Sequence, residues 1–418
     1  MFSKVQLAVV NIEFLSREPI ENVVTELKFQ IDKTVCLGDA ETVAAERDRT
    51  ETFLTRYCGV REVEFRTVAT GDLPAVVREL RGVLAAERAA GHQVTVDITG
   101  GGSLPLVACG ILAREFAVSL HLFDVETGAM TEIEGNVFAG APETHAAPEP
   151  GSDPEAHAAP FTLTAGGTPR NVPVDLDMLI RMHGGRIVDR MHKRSKDIDL
   201  SAERADIEAL WSVSKEHLES WNSFAVYLQG FPPDGLRVVI PPEASRAKLA
   251  NLKKLDGKRE IDIMLNCCAD VGVIEDLVIE TGGATSFRYR DATAKNWLWE
   301  AGCILELHTY VGEAEDSDDC LVGAHLDWDG VLHSGRSEDV LNEIDVLVLR
   351  GLVPTFISCK SGSVDKDALY ELRTVTERFG GKYAKMVLAA PKGVSRADRM
   401  RAEEMGIEVR VEPREPKI

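Results

Sequence analysis

Residues 94–105 read VTVDITGGGSLP, an alternating strand pattern that runs into three glycines and then into the helical pattern LPLVACGILAREF. A strand that turns through glycines into a helix is the phosphate-facing turn of an open parallel sheet. Ligands bind beyond the carboxyl ends of such strands, where side-chain-free backbone lets N–H groups approach an anion at a helix N-terminus. Thr99, Gly100, Gly101, Gly102 and Ser103 are therefore candidate ligand residues, although three glycines also serve a plain tight turn. The stretch contains no GxxxxGK[ST] or GxGxxG pattern, so it is neither a Walker A loop nor a dinucleotide fingerprint.

Outward from this turn, strand and helix patterns alternate. VQLAVVNI, VEFRTVA, QVTVDIT and SLHLFDV read as strands, with helical ENVVTELKFQI, LPAVVRELRGVLAAERAAG and LPLVACGILAREF among them. Right-handed crossovers between such strands give a Rossmann-like α/β domain. The first strand ends in NIEFLSREPIENV (11–23), which puts Asn11, Ser16 and Asn22 at the sheet edge that carries the glycine turn. Ser16 and Asn22 are equally ordinary as turn or cap residues.

The segment GAPETHAAPEPGSDPEAHAAP, ending at Pro160, lacks periodicity and reads as a linker. Residues 1–139 form the first expected domain, 140–165 the linker or a long loop, 166–235 a small helical connector and 236–418 a second α/β domain. At 418 residues two to four domains are expected. The connector carries DLDMLIRMHGG and ERADIEALWSVSKEHLESW. The last domain carries RVVIPP, a strand-like DIMLN, a long helical NWLWEAGCILELHTYVG, and then EIDVLVLR, TFISCK, KMVLAA and IEVRV.

The second constellation is NEIDVLVLRGLVPTFISCKSG (342–362). Strand side chains alternate between faces, so Glu343 and Asp345 share one face and Ser358 and Lys360 share one of the next strand. Acid, hydroxyl and ammonium around one point suit phosphodiester hydrolysis, with carboxylates holding Mn²⁺ or Mg²⁺ and the lysine neutralising phosphate charge. A lysine in an apolar strand is otherwise costly. Glu300 or Glu306 from the preceding helix, and Glu371 downstream, are further candidate acids. The acidic run EAEDSDD reads as an exposed turn, and Asp327 and Asp329 are reserve metal ligands. Arg246, Lys248, Lys253, Lys254, Lys258 and Arg259 form the densest basic stretch, suited either to a nucleic-acid backbone or to a solvated helix face.

The residues SREPIEN, DITGGGS, NWLWEAG and above all NEIDVLVL with PTFISCKSG resemble the CRISPR ancillary nucleases that join a CARF sensor to a PD-(D/E)xK, restriction-endonuclease-like domain, with a small winged-helix-like segment between. The resemblance spans nearly the whole chain. It implies a homodimer that binds a cyclic oligoadenylate, usually cyclic tetra-adenylate, through Ser16, Asn22 and Thr99 to Ser103. It also implies cleavage of DNA, RNA or both at Asp345 and Lys360, with Glu300 as the helix acid and Mn²⁺ or Mg²⁺ as cofactor. Two positions depart from the pattern. Ser358 stands where the family has an acid two residues before the lysine, so that either Glu343 or Glu371 substitutes or catalysis is weak; Ser103 stands where relatives often carry lysine. The other readings are a sensor with a weak or inert nuclease fold, and a constitutive repair or restriction-type endonuclease.

Charge bounds these readings. Lys and Arg number 47 against 68 Asp and Glu, a net of −21, and residues 1–160 hold 13 against 25, a net of −12. That argues against avid coating of nucleic acid or anionic membrane and for a transient, metal-dependent encounter. Eight cysteines without CxxC spacing read as reduced core thiols, and no apolar run approaches a membrane span, so a cytoplasmic protein is expected.

Overall fold

The computed structural model describes residues 8–133, 167–188, 194–195, 203–331 and 340–411. It divides into two compact units. The first takes the chain to Gly184 together with Gly351–Val353 and Gly381–Tyr383; the second takes the rest. The expected linker, 140–165, lies outside the described residues.

The first unit holds β1 (Val9–Phe14), α1 (Val24–Lys28), β2 (Phe29–Gln30), β3 (Lys33–Gly38), α2 (Ala40–Arg56), β4 (Glu62–Thr67), α3 (Leu73–Ala89), β5 (Gln93–Asp97), α4 (Ser103–Phe116), β6 (Leu120–Phe123), β7 (Met130–Ile133), β8 (Thr168–Pro169) and α5 (Leu176–Met182). Its main sheet runs β4-β3-β1-β5-β6-β7, parallel except for β7. This is the Rossmann-like arrangement expected. The sheet faces differ sharply. Val10, Ile12, Val35, Leu37, Val94 and Val96 pack with Leu80, Leu84 and Leu112 in an apolar core. The alternate positions Asn11, Glu13, Thr34, Cys36, Thr95 and Asp97 are just as buried, and α1 lays Thr25 and Glu26 against them.

Three expectations change here. The helix read over ENVVTELKFQI is a 3-10 turn (Pro19–Asn22), the five-residue α1 and then β2. The β3–α2 pair carries weak sequence signals, since α2 is rich in charged residues and threonine. The stretch expected as one connector is divided: β8 pairs with β2, and the Arg170 guanidinium donates to the carbonyls of Glu26 and Cys58, which ties 167–184 to the first unit.

The second unit holds β9 (Arg186–Ile187), β10 (Arg194–Ser195), α6 (Arg204–Glu216), α7 (Trp221–Gln229), β11 (Arg237–Ile240), α8 (Pro242–Leu249), α9 (Lys258–Asp270), β12 (Ile274–Ile279), β13 (Thr285–Tyr289), α10 (Ala292–Trp299), α11 (Cys303–Ala314), β14 (Asp319–Asp327), β15 (Leu341–Arg350), β16 (Val353–Cys359), α12 (Lys366–Gly380), β17 (Lys385–Ala389), α13 (Arg396–Glu404) and β18 (Ile407–Arg410). The large sheet runs β10-β14-β15-β16-β17-β18, with β14 and β15 antiparallel and β16 to β18 parallel. A mixed sheet with a central hairpin and parallel return strands is restriction-endonuclease-like, as expected.

A second, three-stranded sheet runs β11-β13-β12. With α7, α8 and α9 it makes a helix-turn-helix closed by a β-hairpin, so the winged-helix segment spans 221–289 rather than 166–235. The strand-like DIMLN lies inside α9, whose buried Ile261, Met264, Leu265 and Cys268 repeat at helical spacing. The long NWLWEAGCILELHTYVG helix is two helices broken at Glu300–Gly302. The acidic run is not an exposed turn throughout: Glu313 is buried and paired with Arg350 (2.7 Å) and Arg410 (2.6 Å), and Asp319 opens β14. All eight cysteines are free thiols. Among the described residues no helix is long and apolar enough to cross a membrane.

Candidate functional site

In the first unit the two predicted strand-end segments do meet. A Cβ on Gly100 would lie 2.9 Å from the Phe14 carbonyl oxygen, and one on Gly101 2.7 Å from the Phe14 Cβ. Gly101 also has φ +86°, which disfavours any residue with a side chain. These glycines let the turn close onto the end of β1, and Gly101, Gly102 and Ser103 remain exposed at the start of α4. Gly102 caps that helix without a side-chain hydrogen bond, so its first backbone N–H groups are open to an anion.

Several residues expected to line the pocket brace it instead. Asn22 is 1% exposed and grips Ser16 from both sides, accepting from its N–H (2.7 Å) and donating to its carbonyl (2.9 Å). The Ser16 hydroxyl accepts from the Glu18 N–H, and the Thr99 hydroxyl accepts from the Phe123 N–H. Asn11 points to the polar face, where it donates to Glu26 (2.9 Å) and Glu13 (3.3 Å). Asp97, which the sequence reading missed, is the central brace. One of its oxygens accepts from the Thr99 N–H (2.6 Å) and the other from the Thr25 hydroxyl (2.5 Å), which also meets His121 (2.7 Å). Its sequence signal is slight: an acid two residues before Thr99 and three before the first glycine suits an Asx turn.

The polar face titrates abnormally. Burial, reinforced by the charges of Glu26 and Asp97, pushes Glu13 well above the usual carboxylate range. Burial raises Glu26 to about 7 despite hydrogen bonds from Thr34 and Asn11, and it lowers His121 against the pull of Asp97. Two further missed residues touch the turn after Ser16: the Lys382 N–H donates to Glu18 (2.8 Å) and the Tyr383 hydroxyl to Glu21 (2.6 Å).

In the second unit, Asp345 on β15 and Ser358 on β16 are brought together. One Asp345 oxygen accepts from the Cys359 N–H (2.6 Å) and the Ser358 hydroxyl (3.2 Å). Burial raises the Asp345 pKa; Lys360 pulls it down and Glu343 pushes it up, so all three charges share one electrostatic environment. Glu343 is exposed, opposite His325 on β14 (3.8 Å). Glu371 is exposed on α12, where Leu369, Leu372 and Val375 face the core, and it has no hydrogen bond or ion pair among the described residues.

Glu300 is exposed at the break between α10 and α11, where it lines a cavity of about 290 Å³ with the nearly buried Glu306. The charge of Glu306 reaches Cys359, beside Asp345. Asp327 is buried at the end of β14. No group of three or more His, Cys, Asp or Glu side chains able to hold a metal exists among the described residues. The donors that could meet an ion beside Lys360 are the carboxylates of Asp345 and Glu343, oxygen ligands of the kind Mg²⁺ and Mn²⁺ take. They do not make a closed protein cage.

No protein-family model matches the sequence, and no curated protein does. Solved structures do. Protein VC1899 from Vibrio cholerae matches with a TM-score of 0.66 and 14% identity, over 96% of this chain and 93% of that one. Can2 from Sulfobacillus thermosulfidooxidans, solved in complex with cyclic tetra-adenylate, matches with a TM-score of 0.60 and 14% identity, over 97% and 96%. The chain shares the fold of both, a Rossmann-like unit followed by a second, mixed-sheet α/β unit.

Proposed function

We propose that this chain is a metal-dependent nuclease switched on by cyclic oligoadenylate, with cyclic tetra-adenylate as activator, DNA or RNA as substrate and type III CRISPR defence as its setting. The observation that carries the reading is the coexistence, in one fold shared with a protein solved around cyclic tetra-adenylate, of an open amide cradle at Gly101–Ser103 and the Asp345–Ser358–Lys360 cluster. Ser16 and the cradle amides meet the activator's phosphates, while Asn22, Thr99 and Asp97 hold those groups in place.

A homodimer is supported by α4, where Leu104, Val107 and Ile111 form an exposed stripe at helical spacing directly after the cradle. Asp345 and Glu343 would hold Mn²⁺ or Mg²⁺, which supplies Lewis acidity at the scissile phosphate. The Lys360 ammonium neutralises charge on that phosphate and partly offsets the burial that raises Asp345.

Purified protein incubated with plasmid or single-stranded RNA, Mn²⁺ and cyclic tetra-adenylate should cleave only when metal and activator are both present, and Lys360→Ala should abolish it. No cleavage with any ring size, or equal cleavage by Lys360→Ala, overturns the reading. Ser358 favours a second reading, a sensor whose nuclease fold is weak or inert. Mn²⁺ affinity left unchanged by Asp345→Asn would support that one.

A further inference from the structure

The winged-helix segment touches the second unit's candidate cluster through α7, whose Asn222 amide donates to the Ser361 hydroxyl (3.0 Å), while its α8–α9 face carries a separate basic surface. Residues 243–259 hold six Lys and Arg against two acids, in a chain whose net charge is −21. Lys258 is paired with Asp262. Among the described residues Arg246, Lys248, Lys253, Lys254 and Arg259 have no ion pair with an acid; Arg246 donates to the Pro242 carbonyl (3.4 Å) and Lys248 is half-buried. Lys253 and Lys254 sit exposed in the turn between α8 and α9, and Arg246 and Arg259 are exposed on the helices that flank it.

The outward face of α9 is equally specific. Arg259, Ile263 and Asn266 recur at i, i+4 and i+7, all exposed, with Ile263 at 44%. Of the acids around α9, Glu260 accepts from the Asp256 N–H (2.6 Å) and Asp262 holds Lys258, while Asp256 and Asp270 are exposed towards its two ends. Asn266 donates its amide hydrogen to the Asp262 carbonyl, which leaves its Oδ1 open. An arginine, an apolar side chain and an asparagine along the second helix of a helix-turn-helix are the residue types that meet guanine, the thymine methyl and adenine in a major groove. The hairpin β12–β13 is different: Glu275 and Asp276 sit there with Arg288 as their counter-charge, so this wing repels phosphate.

We propose that the α8–α9 surface binds duplex DNA, with Lys253, Lys254 and Arg246 on the phosphate backbone and α9 in the major groove. Duplex RNA fits poorly because its major groove is too deep and narrow for a helix. The four exposed cations, Arg246, Lys253, Lys254 and Arg259, give a modest, salt-sensitive affinity in place of avid coating. This surface stands independently of catalysis, so its test needs none.

Fluorescence anisotropy of the full-length protein with a labelled 25-base-pair duplex, in EDTA and without activator, reads it directly. Lys253→Ala with Lys254→Ala should weaken binding about tenfold at 0.1 M salt and flatten the plot of log K against log salt by about two. Asn266→Ala should instead leave the salt slope unchanged and reduce discrimination among duplex sequences. Circular dichroism checks that the variants fold. Binding and slope unaffected by the double substitution, no duplex binding by the parent, or a preference for RNA over duplex DNA would each overturn the proposal. DNA binding that persists in a protein that never cleaves would overturn the nuclease reading and leave this one standing.

Discussion

Glu26 is fully buried on the polar face of the first unit's sheet, and its carboxyl is raised to about 7 from an ordinary 4.5. The folded state therefore holds a proton that the unfolded state releases between those values. Stability is fully present below pH 4.5 and is lost as pH rises through 7, the reverse of a salt-bridged carboxylate. At about 1.36 kcal/mol per pH unit the gap amounts to about 3 kcal/mol, an upper bound because Glu13 beside it titrates in the same direction. His121 works oppositely, its lowered pKa costing stability as pH falls below 6.5.

The hydrogen bonds give the same direction. One Glu26 oxygen accepts from Asn11 and Thr34, while the other oxygen and the Asn11 carbonyl oxygen have no donor among the described residues. A proton on Glu26 adds the donor this acceptor-rich cluster lacks. Glu26→Gln keeps the shape and supplies a permanent donor. By scanning calorimetry from pH 5.5 to 8.5 the parent's first-unit transition should fall with rising pH, and Glu26→Gln should hold it nearly level. Above pH 8 the variant should melt roughly 6–12 °C higher, at 2–4 °C per kcal/mol. An identical pH dependence in both proteins would refute the reasoning.

Three further outcomes follow from particular side chains. Ser358→Glu places a carboxylate beside Asp345 and should raise Mn²⁺ affinity and activator-dependent cleavage about tenfold, some 1.4 kcal/mol of transition-state stabilisation; titration calorimetry with Mn²⁺ that shows no change would contradict it. Gly381 has φ +66°, and a Cβ there would strike the Glu18 carboxylate and the His183 ring. Gly381→Ala should therefore cost about 1–2 kcal/mol or more and lower the melting temperature, which differential scanning fluorimetry would measure. Ile111→Glu charges the exposed α4 stripe and should convert a dimer to a monomer in size-exclusion light scattering without lowering the melting temperature of the isolated subunit.

The sequence made the parallel sheet legible because its strands are short apolar runs between strongly amphipathic helices such as α3. It hid α2, whose surface is mostly charged, and it disguised α9, where IDIML mimics a strand until the buried Ile261, Met264, Leu265 and Cys268 are seen at helical spacing. The Asp345–Ser358–Lys360 grouping was readable from period-two alternation alone. The roles of Asn11 and Asn22 were not, because a polar residue near a strand end gives no sign of which face it takes. Both turned inward, to Glu26 and to the Ser16 backbone. Asp97 escaped because it looks like an ordinary strand-end acid until three partners converge on it.

The first unit is not a continuous piece of chain. Gly381–Tyr383 belongs to it, and so does Gly351–Val353, although the strands and the helix that flank these tripeptides belong to the second. Cutting the gene after Gly184 would leave the first unit without the lysine and tyrosine that meet Glu18 and Glu21, two carboxylates just beyond Ser16. Exchanging the second unit for another along that boundary would therefore also remove residues that the first unit uses to hold itself together.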